Sequence, residues 1–372
     1  MATISVVGSG LIGRSWAMVF ISGGYNVKIY DNQPGQAAKA ITEIRKQLEE
    51  LEEADMLRGE LKAAQQCALL SSHDDLAQAL EGAFFVQECV FEQLEVKQNV
   101  FRDIEALVRE DVILSSSTSC LVPSNIFSKV QNRSRCLVSH PVNPPYYVKL
   151  VELIPHPETA AVVMDTTRTL MTKVEQVPVC LRKEVDGFAL NRIQAAITAE
   201  SWRLVQDGII SVRDIDLVMS EGLGMRYAFI GPMETMHLNA PKGLEDYMKR
   251  YGEGIRRVLA SFGPLPEFSG EGAKSILKAL CGGSTPAACS SDCSLRGASC
   301  TLCTSSMMAS RCHVWSSVSS GLAPTRWTAS SPGQRRKRSS PSSWWPRPSF
   351  VWFLFLPNFF TLLTRPSLRE VD

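Results

Sequence analysis

Only five histidines occur in the chain of 372 residues, and one of them stands in Ser139-His140-Pro141-Val142-Asn143-Pro144-Pro145, where three prolines fix the backbone around it. Twelve residues further on, Glu152 puts a carboxylate inside the apolar run Leu150-Val151-Glu152-Leu153-Ile154. A charge in such a strand is costly unless it is paired. Taken singly, the two residues read as a strand-end histidine and an edge-facing glutamate that never meet. As a pair they form a general base: the carboxylate holds the imidazole in one tautomer and stabilises its cation when the other ring nitrogen takes a proton.

A second constellation is Gly8-x-Gly10-x-x-Gly13, which directly follows the β-branched run Thr3 to Val7 and opens an apolar-periodic stretch reaching about Ser22. In a strand, turn and helix, the first glycine allows the turn, the second lets backbone approach a pyrophosphate, and the third lets helix and strand pack closely. The helix N-terminus from about Leu11 offers free N–H groups and positive dipole to phosphates. Asp31 ends the next strand, 18 residues past Gly13, where a carboxylate accepts hydrogen bonds from ribose hydroxyls and repels a 2′-phosphate. Neither Asn32 nor Gln33 supplies a compensating cation, so NAD is expected rather than NADP.

Three further sets fall at the same kind of position. Ser115-Ser116-Ser117-Thr118-Ser119-Cys120 follows the apolar run Val112 to Leu114, and a hydroxyl there can hold substrate or simply cap a helix. Glu92 and Lys97 come just after the run Phe84 to Val86; they reach a nicotinamide ribose or begin a solvated helix. Asn191, in Gly187-Phe188-Ala189-Leu190-Asn191-Arg192, opens a helical region and can donate to a substrate oxygen.

The elements that must position these groups are legible in outline. Thr3 to Val7, Asn26 to Tyr30, Phe84 to Val86, Val112 to Leu114 and Cys136 to Val138 read as strands, alternating with helical patterns such as Gln36 to Leu57 and Glu92 to Arg109. Leu150 to Ile154 and Val177 to Leu181 extend the sheet, and from Phe188 to about Leu280 helix follows helix. The expected fold class is α/β: a Rossmann-type, mostly parallel sheet domain over residues 1–185, then an all-helical domain over 186–280.

Composition divides the chain differently. A net charge of +1 gives no reason to expect nucleic acid or a membrane as partner, although residues 1–280 carry 29 basic against 35 acidic groups. Residues 281–372 hold 20 serines, six of the 11 cysteines and five of the seven tryptophans, without a sustained period. This tail reads as low-complexity, disordered or non-native text. Its Cys289, Cys293, Cys300 and Cys303 are too irregularly spaced to argue for zinc, so no metal is expected. Arg335 to Arg338 is weak as a nuclear address, and Phe350 to Leu363 is too short to span a bilayer. The other five cysteines read as reduced core thiols. The first residues run straight into a strand without a basic, apolar or Arg-rich leader, so a cytoplasmic location is expected.

GSGLIGRSWA, SSSTSC, SHPVNPPYY, LVELIPHPET, GFALNR and MSEGLGMRYAFIGPMETMHLNA together resemble the 3-hydroxyacyl-CoA dehydrogenase family over about residues 3 to 270. The resemblance implies an NAD-binding Rossmann domain, a helical C-terminal domain carrying most of a homodimer contact, and oxidation of a small 3-hydroxy acid. L-gulonate is the leading substrate; an acyl-CoA thioester is the alternative, and a structural or inactive isoform the rival of another class. By matching positions, Gly8, Gly10, Leu11, Ile12, Gly13, Asp31, Glu92 and Lys97 contact the cofactor. His140 is the base, Glu152 its partner, and Ser119 and Asn191 the polar groups on the substrate side. Asp186 stands where the family has a small residue, Phe91 where its close members have proline, and the text past about Gly272 departs altogether.

Overall fold

The β-branched run at the start becomes an interior strand of a sheet, with four of its five residues buried. In the computed structural model, which describes residues 2–280, eight strands are joined. They are β1 (Thr3–Val7), β2 (Asn26–Tyr30), β3 (Leu70–His73), β4 (Ala83–Glu88), β5 (Ile113–Ser116), β6 (Cys136–Pro141), β7 (Leu150–Pro155) and β8 (Val177–Cys180). Their spatial order is β3-β2-β1-β4-β5-β6-β7-β8. Every neighbouring pair is parallel except β6 with β7. Chain order reverses direction between β1 and β4, and such a switch point leaves a crevice at the carboxyl ends of the strands.

The helices around this sheet are α1 (Leu11–Ser22), α2 (Gln36–Glu53), α3 (Ala63–Cys67), α4 (Leu76–Leu80), α5 (Leu94–Glu105), α6 (Pro123–Ile126) and α7 (Ala161–Lys173). Helix α1 is buried from Ser15 to Ser22, with Trp16 stacked on Phe20 at 5.2 Å and Phe20 edge-on to Phe85 of β4 at 6.1 Å. That packing holds the glycine turn rigidly over the sheet. Helix α2 buries only the stripe Ala37, Ala40, Ile44, Leu48 and Leu51, the spacing of a helix with one wet face.

After β8 the chain forms α8 (Leu190–Gln206), α9 (Val212–Leu217), a π-helical turn at Val218–Leu223, α10 (Gly224–Tyr227), α11 (Pro232–Leu238), α12 (Leu244–Ala260) and α13 (Gly270–Leu280). Within these helices only Ala199 and Gly252 are buried. No helix among the described residues is long and apolar enough to cross a membrane.

Several boundaries differ from expectation for physical reasons. Helix α5 starts at Leu94 rather than Glu92, because the Glu92 carboxylate is bonded to a neighbouring loop instead of lying on the helix. Helix α2 stops at Glu53, and Asp55 then takes a left-handed turn. Strand β3, together with α3 and α4, has no counterpart in the pattern: Leu70-Ser71-Ser72-His73 is an edge strand without a β-branched run. The expectation of five core thiols is corrected, since Cys136 is buried but Cys120 and Cys180 are exposed. The tail with its cysteine cluster, its basic run Arg335 to Arg338 and its aromatic run Phe350 to Leu363 lies outside the described residues.

Candidate active site

Strand register explains how residues twelve apart become partners. Strands β6 and β7 are antiparallel, and His140 lies directly opposite Glu152 in their ladder. Such cross-strand pairs have adjacent Cβ atoms. His140 Nδ1 and Glu152 Oε2 are 2.8 Å apart, and both residues are buried. The other carboxylate oxygen, Oε1, accepts the backbone N–H groups of Ala189 at 2.8 Å and Leu190 at 3.0 Å. Helix α8 has no side-chain cap of its own, so Glu152 caps it from the strand. Burial alone would raise the Glu152 carboxyl, but the His140 bond and the two amides outweigh it and hold the group below its ordinary value. Because Nδ1 is occupied, Nε2 is the ring nitrogen left to exchange a proton.

Phe188 completes this corner. Its ring lies 5.4 Å from that of His140, it is fully buried, and its backbone is left-handed at φ 53° directly after Gly187 at φ 70°. Residue pattern did not single Phe188 out. An aromatic beside a glycine at a helix start was the available signal.

The glycine turn sits at the switch point and fits a dinucleotide. A Cβ on Gly13 would lie 1.9 Å from the Gly8 carbonyl oxygen, and one on Gly8 2.6 Å from that of Cys89. Protein packing therefore dictates both glycines. Around Gly10 nothing lies within 4 Å of an added Cβ, so its smallness serves no packing contact and leaves an open approach to backbone. Gly10 is the N-cap of α1, which has no side-chain cap and no acidic residue in its first turn. Its free N–H groups suit a pyrophosphate. Leu11, 60% exposed, and the half-buried Ile12 form the first turn beside the cradle. Asp31 accepts the backbone N–H and the hydroxyl of Ser9 on Oδ2, at 2.9 and 2.6 Å, and the Gln33 N–H on Oδ1 at 3.1 Å. It is thereby fixed at the end of β2 as an acceptor.

The third group is the loop after β5. Glu92 Oε1 accepts the Ser119 N–H at 2.8 Å and the Thr118 hydroxyl, while Glu92 Oε2 lies 3.3 Å from Lys97 Nζ. Burial would raise the Glu92 carboxyl, but the Thr118 hydroxyl, the Lys97 charge and the Ser119 amide hold it low. Lys97 is buried, with its ammonium on Glu88 Oε1 at 2.8 Å; it therefore braces Glu92 from within rather than facing solvent. Asn191 Nδ2 donates to the Ser119 carbonyl at 2.7 Å, which ties α8 to the loop. Ser119 is exposed and Asn191 half-buried. Of the hydroxyl-rich set, Ser116 and Thr118 are turned to Glu88 and Glu92, and Glu88 escaped the sequence reading, although a carboxylate ending the apolar strand Ala83–Glu88 poses the same pairing question as Glu152. Among the described residues no group of three or more His, Cys, Asp or Glu is arranged to hold a metal.

An open dinucleotide cradle at the switch point and a buried histidine–carboxylate pair on the same sheet define an oxidoreductase of the NAD-dependent dehydrogenase class. Residues 3–185 match the family model described as "3-hydroxyacyl-CoA dehydrogenase, NAD binding domain", and residues 187–278 match "3-hydroxyacyl-CoA dehydrogenase, C-terminal domain". The chain is 55% identical to the lambda-crystallin homolog of Rattus norvegicus, over 75% of this chain and 87% of that one. It is 35% identical to a 3-hydroxyacyl-CoA dehydrogenase of Gibberella moniliformis, over 68% and 78% respectively. A solved NAD-dependent 5-dehydrogenase of a formyl-hydroxy-methylpyridine carboxylic acid is similar with a TM-score of 0.58 and 28% identity, covering 70% of this chain and 80% of that one. The chain belongs to the 3-hydroxyacyl-CoA dehydrogenase family, and its cofactor is NAD.

Proposed function

We propose that the chain oxidises the 3-hydroxyl of L-gulonate to 3-dehydro-L-gulonate, with His140 as general base and Glu152 as its partner. The observation that carries the reading is the 2.8 Å contact between the buried His140 Nδ1 and Glu152 Oε2. When bound, NAD supplies the acceptor for the hydride leaving the carbinol carbon. His140 Nε2 takes the hydroxyl proton, Glu152 stabilises the imidazolium, and the Ala189 and Leu190 amides keep Glu152 anionic while it does so. Ser119 and the second N–H of Asn191 anchor the substrate oxygen, Leu11 and Ile12 line the phosphates, and Asp31 and Glu92 receive the two riboses, with Lys97 behind Glu92.

Identity is higher to lambda-crystallin homologs than to the fungal 3-hydroxyacyl-CoA dehydrogenase, which weighs against the thioester. The resemblance carried by SHPVNPPYY and MSEGLGMRYAFIGPMETMHLNA points the same way. The family description itself supports the second reading, oxidation of a 3-hydroxyacyl-CoA. NADH formation by the full chain, with L-gulonate and 3-hydroxybutyryl-CoA assayed in parallel, separates them. Turnover of L-gulonate alone is expected; turnover of the thioester alone moves the assignment to the second reading, and turnover of neither overturns the enzymatic reading.

Two further parts of the proposal concern the setting. Large apolar side chains on the later helices are exposed, among them Met233 at 70% and Leu259 at 56%, which supports a homodimer closing over them. A cytoplasmic location fits the free cysteines of the described residues.

A further inference from the structure

The carboxyl ends of β4 and β5 and the start of α5 are joined in a closed ring of five residues, four links made between side chains and one by the Thr118 backbone N–H. Glu88 Oε1 accepts from Lys97 Nζ at 2.8 Å, and Glu88 Oε2 accepts from the Ser116 hydroxyl at 2.6 Å. Ser116 Oγ accepts the Thr118 N–H at 3.2 Å, the Thr118 hydroxyl donates to Glu92 Oε1, and Glu92 Oε2 returns to Lys97 Nζ at 3.3 Å. Glu88, Ser116 and Thr118 are fully buried and Lys97 is 1% exposed. Glu92, with its side chain 43% exposed, is the wet member of the ring; the buried Glu88 and Lys97 have no solvent to turn to, so each holds the other, and Lys97 in turn holds Glu92. From the ring the Ser119 N–H hangs on Glu92, the Ser119 carbonyl holds Asn191, and the first turn of α8 that carries Asn191 also holds Glu152.

We propose that Glu88 is a positioning residue for the reaction: through Lys97 and Ser116 it sets Glu92 and the Ser119 backbone, and through Asn191 the turn that holds Glu152. The role rests on reading Ser119 and Asn191 as substrate-side groups. Glu88 touches neither substrate nor cofactor in this scheme.

Removing the Glu88 charge also changes what faces Lys97. The groups acting on that ammonium are Glu88, the last residue of β4, Cys89 just beyond it, and Glu92 from the loop before α5. Burial lowers the Lys97 pKa, and Glu88 is the largest opposing influence, so that the net direction is upward. Without Glu88 the ammonium loses its proton at lower pH and releases Glu92. Glu88→Gln is therefore expected to raise the KM for the hydroxy acid at least about fivefold and to bring an alkaline loss of kcat/KM down toward neutral pH. Glu88→Asp is expected to restore much of both. Hydrogen exchange of the Thr118 to Leu121 amides in the full chain should quicken about tenfold, with the amides of β1 unchanged. Ser116→Ala opens the ring from its other side without burying an unpaired charge, and should shift KM and local exchange in the same directions if Glu88→Gln does not fold.

Unchanged KM, pH profile and local exchange in both variants would overturn the proposal. So would a uniform fall of kcat with the wild-type pH profile, which marks a merely structural role. If the wild-type chain oxidises neither L-gulonate nor 3-hydroxybutyryl-CoA, the functional reading fails, while the exchange comparison still tests the ring.

Discussion

His140 and Glu152 show how much rests on one carboxylate. Each of its oxygens has a separate duty, one to the imidazole and one to the amides of α8. Glu152→Gln keeps the size but loses the charge that stabilises the imidazolium, so kcat should fall by about 10²- to 10⁴-fold, the usual span for general-base support, while NAD binding holds. The same carboxylate has a stability signature. Its native pKa lies below the ordinary value, so the unfolded state binds more protons in the window between the two. Its contribution is complete above the unfolded value of about 4.3 and is lost as pH falls through the native one. Thermal melts below about pH 5 should show wild-type Tm falling with acid more steeply than Tm of Glu152→Gln. Pairing was legible from the sequence because a lone glutamate in Leu150 to Ile154 demands a partner. The same logic was available at Glu88 and was missed, since that carboxylate ends its strand rather than interrupting it.

At the scale of elements, register and helix ends do the positioning. A slip of one residue between β6 and β7 would turn Glu152 to the opposite face from His140, so the hairpin is part of the site. Helix α1 makes the sharper test, because its glycines are small for different reasons. In Gly10→Ala the added Cβ meets nothing within 4 Å in the protein, and the backbone at φ −65° accepts a side chain. Tm should stay within about 2 °C, whereas the Kd for NAD, read by NADH fluorescence and NAD competition, should rise at least about tenfold, or 1.4 kcal/mol. Gly13→Ala drives a Cβ onto the Gly8 carbonyl and should instead cost about 1–3 kcal/mol of stability. A strand-turn-helix pattern made β1 and α1 plain in the sequence. Strand β3 was not plain, because pairing with β2 and not its own composition makes Leu70-Ser71-Ser72-His73 a strand.

For the whole molecule, the helices after β8 bury almost nothing of their own, which a 3.6-residue period could not reveal: amphipathic stripes look the same whether they face a core or another subunit. Sedimentation of the full chain should give a dimer, and Leu259→Asp with Met233→Glu, both on exposed helix positions, should shift it toward monomer with lower kcat; a monomeric wild type would contradict the homodimer. The central claim, however, is that one histidine moves the proton in an NAD-dependent oxidation. The most direct measurement is NADH formation from NAD and L-gulonate by the wild-type chain and by His140→Asn, with the Kd for NAD determined on both. The account predicts turnover by the wild type and at least about a 10²-fold loss in the variant, with the two Kd values within about threefold of each other. Equal turnover by the two proteins would contradict it.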